Sequence, residues 1–243
     1  KVNGVVIQPN SFTPQGCQTT NGGGQSNPTE FDRFSRLKIA LIELLADRVM
    51  PHTGNTEVQN IGSLSNEYAI GFGIFGYGDG TKAKVIAPIG KLTPDKRVAL
   101  INEIIGIPLN SQVVTSKPIP HALAEAGAYM MGTSTYTDSY KNYSGSKPSS
   151  PDRLADYSVM SSWDNSSQSY ISPLNREQCS GNGIYLLTDG APKGSSTTIS
   201  KALMNASLQG SSLAVNSCDA LSGDADQAWG CMAKYATIQR NPA

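Results

Sequence analysis

The residue best placed to do chemistry is Asp189, within the run Gly183 to Pro192, GIYLLTDGAP. Thr188, Asp189 and Gly190 end the apolar run abruptly and leave a carboxylate just before a helix, a candidate ligand-binding group. The same Asp would serve equally to cap the helix whose pattern starts at about Ser196. Other reactive types are sparse. The four cysteines, Cys17, Cys179, Cys218 and Cys231, show no CxxC spacing, and with two histidines in the chain a zinc site is not expected. Two disulfides made in an oxidising compartment are expected instead. Three pairings are open, and the preferred one joins Cys218 to Cys231 and Cys17 to Cys179. His52 and His121 flank no nucleophile motif, and no P-loop or HExxH is present, so the chain is not expected to be an enzyme. A hydrolase is the remote alternative. His121 reads as a solvated or capped residue in the first turn of a helix.

The elements around Asp189 follow from pattern. Ile184 to Leu187 is a short apolar run between turn formers, the signature of a strand buried on both faces. A carboxylate at the C-terminal end of such a strand, before a helix, sits where open α/β sheets bind ligands. Asn27-Pro28-Thr29-Glu30 reads as a helix start, and Leu37, Leu41, Leu44 and Leu45, with Ala40 and Val49, form the inner stripe of a helix reaching about Met50. Tyr68 to Tyr77 is a strand whose Gly71-x-Gly73-x-x-Gly76 lies inside it. Because a second strand, Lys84 to Ile89, follows, the match to a dinucleotide fingerprint is rejected and YGDG is read as a hairpin turn. Thr93-Pro94-Asp95 opens a helix with Val98, Ile101, Ile104 and Ile105 inside and Gly106 as its stop. Pro118 to Met131 is a third helix closed by Gly132. Helices at about Ser196 to Leu208 and Gln227 to Ile238 end the series. Val2 to Ile7 and Ser212 to Asn216 are weak strand candidates.

At 243 residues the chain suits a single domain over 1–243, with a long polar insertion at about 133–178 that includes a short helical patch near Pro151 to Met160. Its tyrosines and Trp163 suit a partner-binding loop, with Tyr136, Tyr140, Tyr143 and Trp163 as the presented rings, alongside Tyr157 and Tyr170. The duller use of the same rings is to pin the loop to the domain. Nineteen basic and nineteen acidic residues cancel, so neither nucleic acid nor an anionic membrane is an expected partner. No stretch is apolar for long enough to span a bilayer. A start at Lys1 without a signal peptide suits a mature or excised piece.

Several stretches resemble one family. A hydrophobic strand ending in TDG-x-P resembles the fourth strand of von Willebrand factor A (VWA) domains, and RFSRLKIALIELL resembles their first helix. Tyr170-Ile171-Ser172-Pro173, then Cys179, then TDG resembles the Y-x-SP…C-x-x-N…TDG run of PilC/PilY1-type tip adhesins of bacterial type IV pili. Pro118 to Gly132 resembles their TPLAEALYEAGRYFxG helix, and Trp229-Gly230-Cys231 their W-x-C segment. The resemblance covers most of Arg33 to Tyr235. It implies a Rossmann-like α/β VWA fold: a central mostly parallel sheet, one antiparallel edge hairpin and helices on both faces.

It also implies a metal-ion-dependent adhesion site held by an Asp-x-Ser-x-Ser run, a Thr and the TDG Asp. Asp189 matches. Ser11 and Thr13 stand for the two serines, but Pro9 holds the Asp position, and Lys117 aligns with the Thr unless Thr115 takes its role. Two readings stay open. In the preferred one no cofactor is bound and Lys117 replaces the metal beside Asp189, because a buried carboxylate requires a positive partner. In the other, Asp189, Ser11, Thr13 and Thr115 form a degenerate site for Mg²⁺, Mn²⁺ or Ca²⁺. The implied function is non-enzymatic adhesion and pilus biogenesis. Its setting is extracellular, at the cell surface or pilus tip after export through the periplasm, with minor pilins, other tip proteins and host or abiotic surface ligands as partners. A structural pilus-assembly component without direct ligand binding is the alternative.

Overall fold

A computed structural model describes residues 33–49, 58–59, 61–77, 82–107, 117–146, 163–174, 181–188, 190–194, 196–209, 214–216 and 224–240. The chain divides into two compact units, one made of residues 1–70 and 90–112, the other of 71–89 and 113–243.

The first unit is built on α1 (Arg33–Leu45) and α2 (Pro94–Gly106), with the two-residue strands β1 (Arg48–Val49) and β2 (Val58–Gln59) paired antiparallel. α2 starts as its sequence dictates: the Thr93 hydroxyl accepts from the Lys96 amide at 3.2 Å, Pro94 opens the helix and Asp95 sits in the first turn. Its inward face is Arg97, Leu100, Ile101 and Ile104. Ile101 and Ile104 lie inside as expected, while Val98 and Ile105 are only half-buried. α1 differs more from expectation. Leu37 and Leu44 are exposed, and the buried face carries Ser35, Lys38 and Leu45. The physical reason is a cap between helices: the Lys38 ammonium donates to the carbonyls of Ile105 and Ile107 at the C-terminal end of α2. Those carbonyls lack intrahelical partners and carry the negative end of the helix dipole.

The second unit is centred on α3 (Ile119–Met131), buried nearly all round and therefore a core helix, not a surface one. Gly132 ends it in the left-handed region at φ +73°, its amide donating to Tyr129. Ile119, Leu123 and Ala124 enter one cluster with Leu203, Met204, Leu208, Val215, Met232 and Tyr235, contributed by α4 (Thr197–Ser207), α5 (Asp224–Arg240) and the chain beside them. Ala128 and Tyr129 enter another with Val85, Trp163 and Tyr170. α4 and α5 stand close to their expected positions, α4 being capped by the Ser196 hydroxyl, which accepts from the Ile199 amide at 3.2 Å.

The fold is mixed α and β, but the described strands form only two-stranded sheets. β3 (Ala69–Tyr77) neighbours β4 (Lys82–Lys91), and the four-residue link between them is too short for a parallel crossover. This is the expected hairpin. A Cβ on Gly71 would lie 2.6 Å from the Ala87 carbonyl oxygen, so that glycine serves strand–strand approach and not a nucleotide. β5 (Trp163–Asp164) pairs antiparallel with β6 (Ser169–Tyr170). Among the described residues no strand pairs in parallel.

Ile184 to Leu187, expected as a strand buried on both faces, is not a strand. Ile184 and Leu186 pack on the α3–α4–α5 cluster, while Tyr185 is 87% exposed and Leu187 48% exposed. One face is inside and the other outside, so the run's continuous hydrophobicity overstated its burial. Residues 214–216 also lack a strand: Asn205 accepts from the Val215 amide at 2.7 Å and donates to its carbonyl at 3.4 Å, taking the place of a ladder partner. The supposed polar insertion contributes core, for Ser134, Thr135, Ser144, Ser146, Trp163 and Tyr170 are all buried. Val2 to Ile7, Asn27 to Glu30 and the patch near Pro151 lie outside the described residues.

Candidate functional site

Two places in the second unit hold functional groups. The first is the turn after Leu187. The Thr188 hydroxyl accepts from the Gly190 amide at 3.3 Å and donates to the Gly190 carbonyl at 3.0 Å. Lys117 is held beside it by the backbone. Its amide donates to the Lys193 carbonyl at 2.7 Å, and the Lys193 amide donates back at 3.0 Å, an isolated antiparallel bridge. The Lys117 Nζ lies 2.9 Å from where a Cβ on Gly190 would stand. The end of the Lys117 side chain thus stands against Gly190. Because Ser196 already caps α4, the capping role that Asp189 was weighed against is filled by another residue. Asp189, Ser11, Thr13, Thr115 and His52 lie outside the described residues. Among the described residues no cluster of three or more His, Cys, Asp or Glu side chains suits a metal.

The second place is a buried polar network that sequence reasoning missed. Glu125, on α3, is 2% exposed. Its Oε2 accepts from the Thr135 hydroxyl at 2.6 Å and from the Gly145 amide at 3.2 Å, and its Oε1 accepts from the Tyr170 hydroxyl. With its one hydrogen committed to Glu125, the Thr135 hydroxyl accepts from Ser144 at 2.6 Å and from Ser146 at 2.7 Å. Burial pushes the Glu125 carboxyl up to about 7, opposed by the donors at Thr135, Tyr170, Gly145 and Ser146. Burial likewise raises the Tyr235 hydroxyl, which bonds Ser207 at 2.5 Å. The available signal was a lone carboxylate in a run of otherwise apolar helix, IPHALAEAGAYMM.

The aromatic residues divide. Tyr136 stands at the surface, its hydroxyl donating to Asp138 at 2.8 Å, which raises its pKa. Tyr140 and Tyr143 are half-buried against the main cluster. Trp163 is 4% exposed and meets Tyr170 edge-on with centroids 4.9 Å apart, so its ring belongs to the core and not to a presented surface. Tyr157 lies outside the described residues. His121, expected at the surface, is 2% exposed and lies edge-on to Tyr143 with centroids 5.9 Å apart. A helix buried all round buries its first turn too. Asp164, at the tip of the β5–β6 hairpin, is held at about 2 by the Ser166 hydroxyl, the Ser166 amide and the Ser167 hydroxyl. Cys231 is fully buried and disulfide-bonded, while Cys17, Cys179 and Cys218 lie outside the described residues.

Compared with protein-family models, curated proteins and solved structures, the chain matches none. Among the described residues no helix is long and apolar enough to cross a membrane.

Proposed function

We propose that this chain is a non-enzymatic adhesion and protein-interaction domain of the VWA kind, of the PilC/PilY1 type, working outside the cell at the bacterial surface or pilus tip. The observation that carries the reading is the Lys117 ammonium seated at the glycine of the Thr188-Asp189-Gly190 turn. A fixed ammonium there replaces the cation of an adhesion site and leaves a polar rim for recognition without a cofactor. A Rossmann-like, mostly parallel sheet belongs to the same proposal. Its support is α3, a core helix buried nearly all round. The partners are minor pilins or other tip proteins and a host or abiotic surface ligand. His121, which a hydrolase would need in an open cleft, is packed under Tyr143.

The alternative, a structural pilus component, draws on the inward packing of Tyr140, Tyr143 and Trp163. Deleting the 133–178 segment would not separate the two, because it removes buried Thr135, Ser144, Ser146 and Tyr170. Point changes do. In the full-length protein expressed in its pilus-bearing host, Tyr136→Ala and Lys117→Glu should cut surface attachment about tenfold with a normal number of pili by electron microscopy. Unchanged attachment overturns the binding reading, and lost pili favour the structural one.

A further inference from the structure

We infer that Glu125 is a proton-operated clasp that fastens the segment 133–146 and the β5–β6 hairpin onto α3. Three donors from three places converge on one carboxylate: the Thr135 hydroxyl and the Gly145 amide from the segment, and the Tyr170 hydroxyl from β6. The fit is close, since a Cβ on Gly145 would lie 2.0 Å from the Ala83 carbonyl oxygen and 3.1 Å from the Glu125 carboxyl carbon. The titratable groups around it are His121, one turn earlier on α3, Tyr170 on β6 and Tyr235 on α5, whose pKa Glu125 raises. β4 offers the Ala83 backbone, and α4 offers Ser207 through Tyr235. When ionised, the charge is borne by the dipoles of these three donors.

The direction follows from linkage. In the closed state the carboxyl holds its proton up to about 7, carried on Oε1 and donated to the Tyr170 oxygen, against the ordinary 4.5 it regains when the segment opens to water. Opening is rarest below pH 4.5. It rises about tenfold per pH unit from there to 7 and then levels off. Through the reading given under Proposed function, this makes the setting of Tyr136, Tyr140 and Tyr143 depend on pH; the clasp itself does not depend on that reading.

Hydrogen exchange tests it without any partner. On the full chain, corrected for intrinsic exchange, the Thr135, Gly145 and Ser146 amides should lose about a hundredfold protection between pH 5 and pH 7.5. Glu125→Gln should flatten that profile. Wild-type protection that stays level, or a Glu125→Gln profile that still falls, overturns the clasp. Should Glu125→Gln fail to fold, Tyr170→Phe decides: removing one donor must move the levelling-off to higher pH, and an unmoved profile overturns the inference. Attachment left unchanged by Tyr136→Ala and Lys117→Glu, with a pH-dependent clasp, would sink the adhesion reading alone.

Discussion

Replacing Arg97 with Met tests how the first unit is held. The guanidinium is 4% exposed and donates to the carbonyls of Leu92, Leu45 and Leu64 and to the Asn66 side chain. Met keeps much of the aliphatic stem and removes every donor. The Leu64 and Asn66 acceptors are partly buried and can turn to water, but the bonds to Leu92 and Leu45 are buried. An orphaned buried acceptor costs about 1–3 kcal/mol, so the two together cost about 2–6 kcal/mol. At about 1.4 kcal/mol per tenfold, that is a loss of about thirtyfold or more in amide protection. Arg97→Lys should recover only part of it, since one ammonium cannot span four acceptors. Both tryptophans, Trp163 and Trp229, lie in the second unit, so fluorescence does not report on the first. Hydrogen exchange of α1 and α2 peptides by mass spectrometry does. Protection within threefold of wild type in Arg97→Met would refute the claim that this side chain holds α2 to the end of α1.

Gly145→Ala should destabilise the second unit by about 2–4 kcal/mol, because its Cβ meets backbone and not a yielding side chain, and a urea titration followed by tryptophan fluorescence reads the shift. Mg²⁺ or Mn²⁺ at millimolar concentration should leave Tm unchanged, since the Lys117 ammonium already stands at the turn; a rise of several degrees that Asp189→Ala abolishes would favour the degenerate metal site.

What the sequence announced was largely local. Thr93-Pro94-Asp95 and Ser196 started helices and Gly132 stopped one, each decided by groups within a few positions. What it hid depends on distant partners. Lys38 turned α1 because its acceptors lie 67 and 69 residues away. His121 went inside because the helices around α3 leave it no wet face. Glu125 meets Tyr170 across 45 residues, a distance no spacing rule covers. At the candidate site Lys117 stands beside Gly190 through a backbone bridge to Lys193, 76 positions away, which no local pattern announces. The pattern took Trp163 for a presented ring, when an alternating polar hairpin turned that ring inward.

The amide of Asn205 carries an implication for the ageing of the molecule. Only a primary amide supplies both an acceptor and a donor to Val215. Deamidation would keep the acceptor, delete the donor and set a negative charge against the Val215 carbonyl. One slow hydrolysis at an otherwise unremarked position would then repel residues 214–216 from α4, with no change of shape needed to start it.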